Sequence, residues 1–321
     1  MPTAMPHNRP PLKPDLWSEE AIEEAIGKLK DTEPPESLRV FLEKRIEEIP
    51  QTKAHTRLLA RLHNELGLFW LQKEEMGWAR THLDTAVSLD PENLKAAYNR
   101  GNIALYEEEF EAALERYETI LAKEPDHGGA TYNAALCHAL TGRVAEALPL
   151  FERAVVLSPD YAGAHFWAGE CLLHQEKPDA ALPYFHKASA LNPDHPESSR
   201  GLAICLFHAG RHEEAICLCE HMLETFGPEL TALRVKGDAL LALGNPVEAA
   251  QSHIDMALID FDAREFLVNR ARYLMETEPD KAPPYVRCVL DHFPDFKSAL
   301  DPQEPLHKDR PQDGRSQSHA Q

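Results

Sequence analysis

The first stretch of periodic sequence carries its apolar residues at helical spacing. Ile22, Ile26 and Leu29 share one face of a first helix, and Leu38, Leu42, Ile46 and Ile49 share one face of a second. Steps of three and four residues bury a single stripe of a helix. Asp31 to Pro35 interrupts the pattern as a turn, with Pro35 suited to a first helical turn, where its missing N–H leaves nothing unsatisfied. Residues 15–50 are predicted to form a helical hairpin. Its eleven acidic against five basic residues suit a cap with one wet face.

Further along, the pattern repeats. Pro91, Pro125, Pro159 and Pro193 are 34 residues apart. Gly67, Gly101, Ala135, Gly169, Ala203 and Gly237 keep the same step, as do Ala79, Ala113, Ala147, Ala181, Ala215 and Ala249. A fixed period of this length marks stacked supersecondary units. The small column and the alanine column lie twelve residues apart, on two successive helices A and B of each unit. With these taken as positions 8 and 20, position 24 carries a large residue (Leu83, Tyr117, Phe151, Phe185) that fills the groove the small residue opens. Position 27 (Ala86, Ile120, Ala154, Ala188, Met222) packs against the next unit. Proline at position 32 cannot continue helix B and turns the chain. Asn93 and Asp160 are placed to cap the helix that follows.

Departures from the pattern are as informative. Cys219 and His253 replace the large residue, and Gly227 replaces the proline. After Asp262 one degenerate copy keeps Ala282, Tyr285, Val289 and Pro294, with Arg270 read at position 8. Pro149 and Pro183 both fall at position 22, inside helix B, and are expected on its outer face as a local bend; an interior proline costs roughly 3 kcal/mol. Pro50 precedes Pro91 by 41 residues, seven more than the period, so the helix from Thr52 to about Lys73 is predicted to be long.

A 34-residue helix–turn–helix unit with small, small and proline columns resembles the tetratricopeptide repeat, over residues 60–261. The best copy, Lys95 to Pro125, reads Ala96, Tyr98, Asn99, Gly101, Asn102, Ala113, Tyr117 and Pro125. The resemblance implies an all-α, right-handed superhelical solenoid of antiparallel helix pairs. About six repeats and the degenerate copy would occupy residues 51–296. It also implies that positions 2, 5, 9, 12 and 13 of each A helix line a concave groove. These are Lys95, Tyr98, Asn102, Leu105 and Tyr106, then Tyr132, Leu136 and Leu140, then Phe166, Glu170, Leu173 and His174. Arg200, Ile204, Phe207 and His208 follow, then Arg234, Asp238 and Leu241. Rings offer apolar area at low entropic cost and Asn can pair with a bound backbone; the alternative is that the rings pack between neighbouring A helices as core. Some family members clamp a C-terminal carboxylate with basic residues and Asn. Asn99, Asn102 and Asn133 resemble its Asn positions, but Asn64 and Gly129 stand where cations belong, so the clamp is incomplete.

The expected function is a protein-interaction scaffold, adaptor or co-chaperone that binds a partner polypeptide in that groove. The alternatives are a peptide- or ligand-sensing regulator and a non-catalytic subunit of an enzyme complex. A formal net charge of −20 argues against nucleic acid and suits basic or apolar partners. No stretch approaches the roughly 18 apolar residues of a membrane helix, and residues 1–14 lack an apolar secretory core. A cytoplasmic protein is expected, with residues 1–14 and 297–321 disordered.

Cys137, Cys171 and Cys205 also recur every 34 residues, at position 10. Successive repeats lie roughly 10 Å apart, too far for a disulfide or a shared metal, so these are read as small hydrophobes. His174, His208 and His212 have no further ligand at a recognised spacing, and no nucleotide-binding or nucleophile motif occurs. No catalytic residue, metal or cofactor is expected.

Overall fold

The computed structural model describes residues 19–300, and it divides after Leu157 into two compact units. The described residues are helical throughout, with no strand. The first unit holds α1 (Glu19–Thr32), α2 (Pro35–Glu48), α3 (Thr56–Gln72), α4 (Met76–Leu89), α5 (Leu94–Tyr106), α6 (Phe110–Lys123), α7 (Gly128–Leu140) and α8 (Val144–Leu157). The second holds α9 (Ala162–His174), α10 (Pro178–Leu191), α11 (Pro196–His208), α12 (His212–Phe226), α13 (Leu230–Ala242), α14 (Pro246–Ile259), α15 (Ala263–Thr277) and α16 (Ala282–His292). From α3 onward, odd-numbered helices are A and even-numbered are B.

Each pair closes where a small residue meets a large one. A Cβ on Gly101 would stand 2.9 Å from the Tyr117 ring, and one on Gly169 would stand 2.8 Å from the Phe185 ring. Real carbons do not approach this closely, so glycine here is a condition of packing. Leu83 fills the same place over Gly67. Phe185 is also wedged against Gly201 of the following A helix, so one ring closes its own pair and the next. Burying such a side chain contributes roughly 1.5–3 kcal/mol. The alanines Ala79, Ala113, Ala147, Ala181, Ala215 and Ala249 are all fully buried.

The N-terminal hairpin is joined to the array by one core. Ile22, Ile26, Leu38, Leu42 and Ile49 cluster with Leu58, Leu59, Leu62 and Leu66 of α3. That extra cover explains the helix lengths: α3 has 17 residues where α5 has 13. The rest of the seven-residue insertion goes partly to a 3-10 turn, Lys53–His55.

Helix starts follow a second column. Asn93, His127, His195 and Glu229 all accept a hydrogen bond from the backbone N–H three residues on. Asn93 is the expected cap. Asp160 is not one: Tyr161 stands at the start of α9 and makes no capping bond to the helix, and Asp160 accepts instead from Lys187 at 3.4 Å. The two histidine caps have no counterpart in the sequence expectation, because imidazole is seldom the acceptor at a helix start.

Two further expectations change. The small residue of the last A helix is Ala271, fully buried and one period after Gly237; Arg270 points elsewhere. Counting back twelve from Ala282 misplaces it by one because Ala271 and Ala282 are only eleven residues apart. The expected tail boundary at 297 also moves. A 3-10 turn spans Pro294–Lys297, Leu300 is buried in the last core, and Arg272 Nε donates to the Ala299 carbonyl at 2.6 Å. A single apolar residue in a polar segment leaves no periodicity to detect. The stretch 1–14 and the tail beyond 300 lie outside the described residues. Pro149 and Pro183 sit inside α8 and α10 on exposed positions, where the carbonyl each leaves free can meet water.

Every A-to-B turn from α3–α4 through α13–α14 passes through a left-handed residue. These are Glu74, Glu108, Gly142, Glu176, Gly210 and Gly244, with φ between 58° and 85°. A side chain at this backbone costs about 1 kcal/mol where glycine costs little. Glu108→Gly is therefore expected to raise stability by about 0.5–1 kcal/mol, and Gly142→Ala to lower it by a similar amount. Urea midpoints followed by circular dichroism would check both.

Candidate partner-binding surface

In the first unit the expected site residues fall into two groups. Lys95 is exposed, Tyr106 is 71% exposed and Leu140 is 48% exposed. Tyr98, Asn102, Tyr132 and Leu136 are half-buried. The Tyr98 ring lies 5.9 Å from that of Tyr117 and 5.1 Å from that of His127, with its hydroxyl over Gly129. Tyr132 stacks edge-on at 5.7 Å to Phe151. These rings pack against neighbouring helices and remain half-exposed, neither wholly core nor wholly surface.

Between the rings lies a polar network that ties α5, α6 and α7 together. Asn133 Nδ2 lies 2.8 Å from Asn102 Oδ1, 3.2 Å from the Tyr98 hydroxyl and 3.3 Å from that of Tyr117. Tyr117 donates to Asn102 Oδ1 at 2.8 Å, and burial pushes its phenol well above the usual range, so it stays a neutral donor. One repeat earlier, Asn99 donates to Asn64 at 2.9 Å. Of the asparagines that the clamp comparison singled out, Asn102 and Asn133 are thus engaged with each other and Asn99 with Asn64.

In the second unit, Phe166 packs against Phe185 at 6.1 Å and His195 at 5.1 Å, and Phe207 against His208 at 5.4 Å and His212 at 5.5 Å. His174 and His208 are exposed. Glu170 is half-buried, and burial raises its carboxyl above the ordinary range, only partly offset by the nearby Arg200 charge. Arg200 itself pairs with Glu229 at 3.2 Å.

Sequence reasoning missed one cluster here. Asp238 of α13 has a side chain only 4% exposed. Arg270 Nη2 lies 2.6 Å from its Oδ1, Arg234 Nη1 lies 3.6 Å from its Oδ2, and His253 Nε2 lies 3.5 Å from Oδ1. Burial alone would raise the carboxyl, but the bond to His253 and the charges of His253, Arg270 and Arg234 hold it below the usual range. His253 fills the position-24 slot over Gly237, fully buried, with Nδ1 2.8 Å from the Tyr285 hydroxyl. The two departures noted in the sequence, His253 and Arg270, were the available signal.

The first unit has a paired imidazole of its own. His63 of α3 and His82 of α4 face each other with Nδ1 atoms 3.0 Å apart. Burial and the neighbouring His82 depress His63 to about 4, and burial lowers His82. Among the described residues no group of three or more His, Cys, Asp or Glu could hold a metal ion. Nor is any described helix long and apolar enough to cross a membrane.

Stacked antiparallel helix pairs in a constant 34-residue register define a helical-repeat protein. Family models of the tetratricopeptide repeat match residues 98–162, 141–185 and 172–235, so this stretch of the chain is built of tetratricopeptide repeats. Arrays of this kind serve in general as protein-interaction scaffolds. Among solved structures, YrrB, titled a TPR protein with an unusual peptide-binding site, is 23% identical. The match covers 56% of this chain and 93% of that one, at a TM-score of 0.54. Pseudomonas aeruginosa pilF is 20% identical over 67% of this chain and 99% of that one, at a TM-score of 0.55. At these identities the likeness establishes the fold. No curated protein matches the sequence.

Two measurements check this description. Burial pushes the thiols of Cys137 and Cys171 up to about 11 and those of Cys205 and Cys219 up to about 12, whereas Cys217 is exposed. An aromatic disulfide reagent at neutral pH should modify Cys217 first and the four buried thiols only on unfolding. For His63, the folded value near 4 lies below the unfolded 6.5, so the unfolded chain binds the extra proton. The pair's contribution is then complete above about pH 6.5 and lost as pH falls towards 4. His63→Leu should flatten the stability curve across that window by roughly 1 kcal/mol, solvent screening included; melting curves at steps of pH would show it.

Proposed function

We propose that the chain is an adaptor that holds a partner polypeptide against the A-helix face of its first unit. The observation that carries this reading is the pairing of Tyr106 and Leu140, large apolar side chains 71% and 48% exposed at the same position of consecutive A helices. Beside them run the half-buried rings of Tyr98 and Tyr132, with the Asn102–Asn133 amides between. Exposed rings supply contact area at small entropic loss, and an ordered amide can pair with a peptide backbone. The fold shared with YrrB supports the scaffold class, while the residues proposed are this chain's own. A cytoplasmic setting and a lack of catalytic activity belong to the same proposal.

The half-buried rings also dictate which substitutions can test it. Tyr98 bonds to Asn133 and covers Gly129, so its removal disturbs packing. Tyr106→Ala combined with Leu140→Ala is expected to leave the helical signal and melting temperature unchanged. The same double variant should weaken capture of the partner isolated with the wild-type chain by about tenfold or more. Undiminished binding by this folded double variant would remove the assignment.

A further inference from the structure

The cluster around Asp238 holds more positive charge than it consumes. Arg234 and Asp238 lie one turn apart on α13, and Arg270 reaches the same carboxylate from α15. Two guanidiniums that never lose their proton face one carboxylate, which leaves one positive charge over. The donors are in surplus too: two guanidiniums present ten N–H groups to two oxygens. Among the described residues both arginines form ion pairs with Asp238 alone, and Arg234 reaches it only at 3.6 Å.

Exposure sorts the parts. The Asp238 side chain is 4% exposed, whereas those of Arg234 and Arg270 are 24% and 21% exposed. The carboxylate is sealed and the cations reach solvent. Arg270 also lies over the rings of Phe266 and Tyr273, at 5.3 and 5.9 Å, which helps fix its plane. Without Asp238 the two cations would repel; with it both are held around one carboxylate. Paired planar guanidiniums match the geometry of an oxyanion, which can accept two parallel hydrogen bonds from each. In a chain of formal net charge −20, a local surplus of this sign is an exception that general solubility does not explain.

We propose that Arg234 and Arg270, braced by the buried Asp238, form an oxyanion site that takes a carboxylate or phosphoryl group of a bound polypeptide. His253 and Tyr285 hold the floor of the site: the imidazole fills the slot over Gly237 and is fixed from below by the Tyr285 hydroxyl. The site lies on α13 and α15 of the second unit, uses none of the residues proposed for the first, and stands or falls separately from that proposal.

The test reads the arginines directly. In full-length protein labelled with nitrogen-15, the Arg Nε–Hε resonances are followed while sodium acetate, methyl phosphate or sodium chloride is added at constant ionic strength. Saturable shifts at Arg234 and Arg270 with acetate or methyl phosphate, absent with chloride, are the expected result. A stronger response to acetate assigns acidic side chains or a chain terminus as the ligand, and a stronger response to methyl phosphate assigns a phosphorylated residue. Arg234→Gln, with helical signal retained, should weaken the response at Arg270 at least about tenfold. Arg270→Lys, which keeps the charge but loses the fork, should weaken the response at Arg234 as well. Shifts that fail to saturate, that chloride reproduces, or that survive both variants would overturn the proposal.

Discussion

The contact between a residue with almost no side chain and one with a large ring or branch is what allows the rest of this molecule to exist. Gly67 under Leu83, Gly101 under Tyr117, Gly169 under Phe185 and Gly237 under His253 set how near the two helices of a pair approach. Once that distance is set, the next A helix finds a surface it can cover, as Gly201 does against Phe185. Protein interiors pack at near-crystalline density, so a methyl group added at these four glycines would have to displace the side chain above it. The A-helix positions that face outward are placed by this contact, and their chemistry is free to vary because the contact does not involve them.

That freedom is used unevenly. In the first unit the outward positions carry rings and amides, and the amides are tied into the interior through Tyr117. In the second, a polar residue enters the crossing itself: His253 takes a slot that Leu83, Tyr117 and Phe185 fill elsewhere. A buried imidazole must be satisfied, and the Tyr285 hydroxyl and the Arg234 carbonyl meet that need, with the Asp238 carboxylate 3.5 Å away. One substitution in the apolar column therefore brings a charged cluster with it. Polar groups out of water are stabilising only when each has its partner, and here the partners come from three different helices.

Much of this could be read from the chain alone, because stacking converts sequence period directly into neighbourhood. The small and large columns, the Asn93 cap, the lengthened α3 and the burial of Cys137, Cys171 and Cys205 all follow from position within the period. What could not be read depends on side chains reaching across the period. Whether Tyr98 belongs to a surface or to the core has no single answer, since its ring end covers Gly129 while the residue stays half-exposed. The capping by His127 and His195 uses a residue type with many other roles. Ala271 was hidden by its eleven-residue step to Ala282, where the other units have twelve, and Leu300 by its polar surroundings.

The even spacing also bears on how such a chain changes in copy number. Loss or duplication of one whole period returns equivalent crossings to one another, so the apolar columns tolerate it. The Tyr98–Asn102–Tyr117–Asn133 network does not share this tolerance, because its members come from two consecutive periods and no other pair in the chain carries the same set. An in-frame deletion between α5 and α7 would strand amides with nothing to meet them. That junction is consequently a fixed point of the array, around which whole modules can be gained or lost.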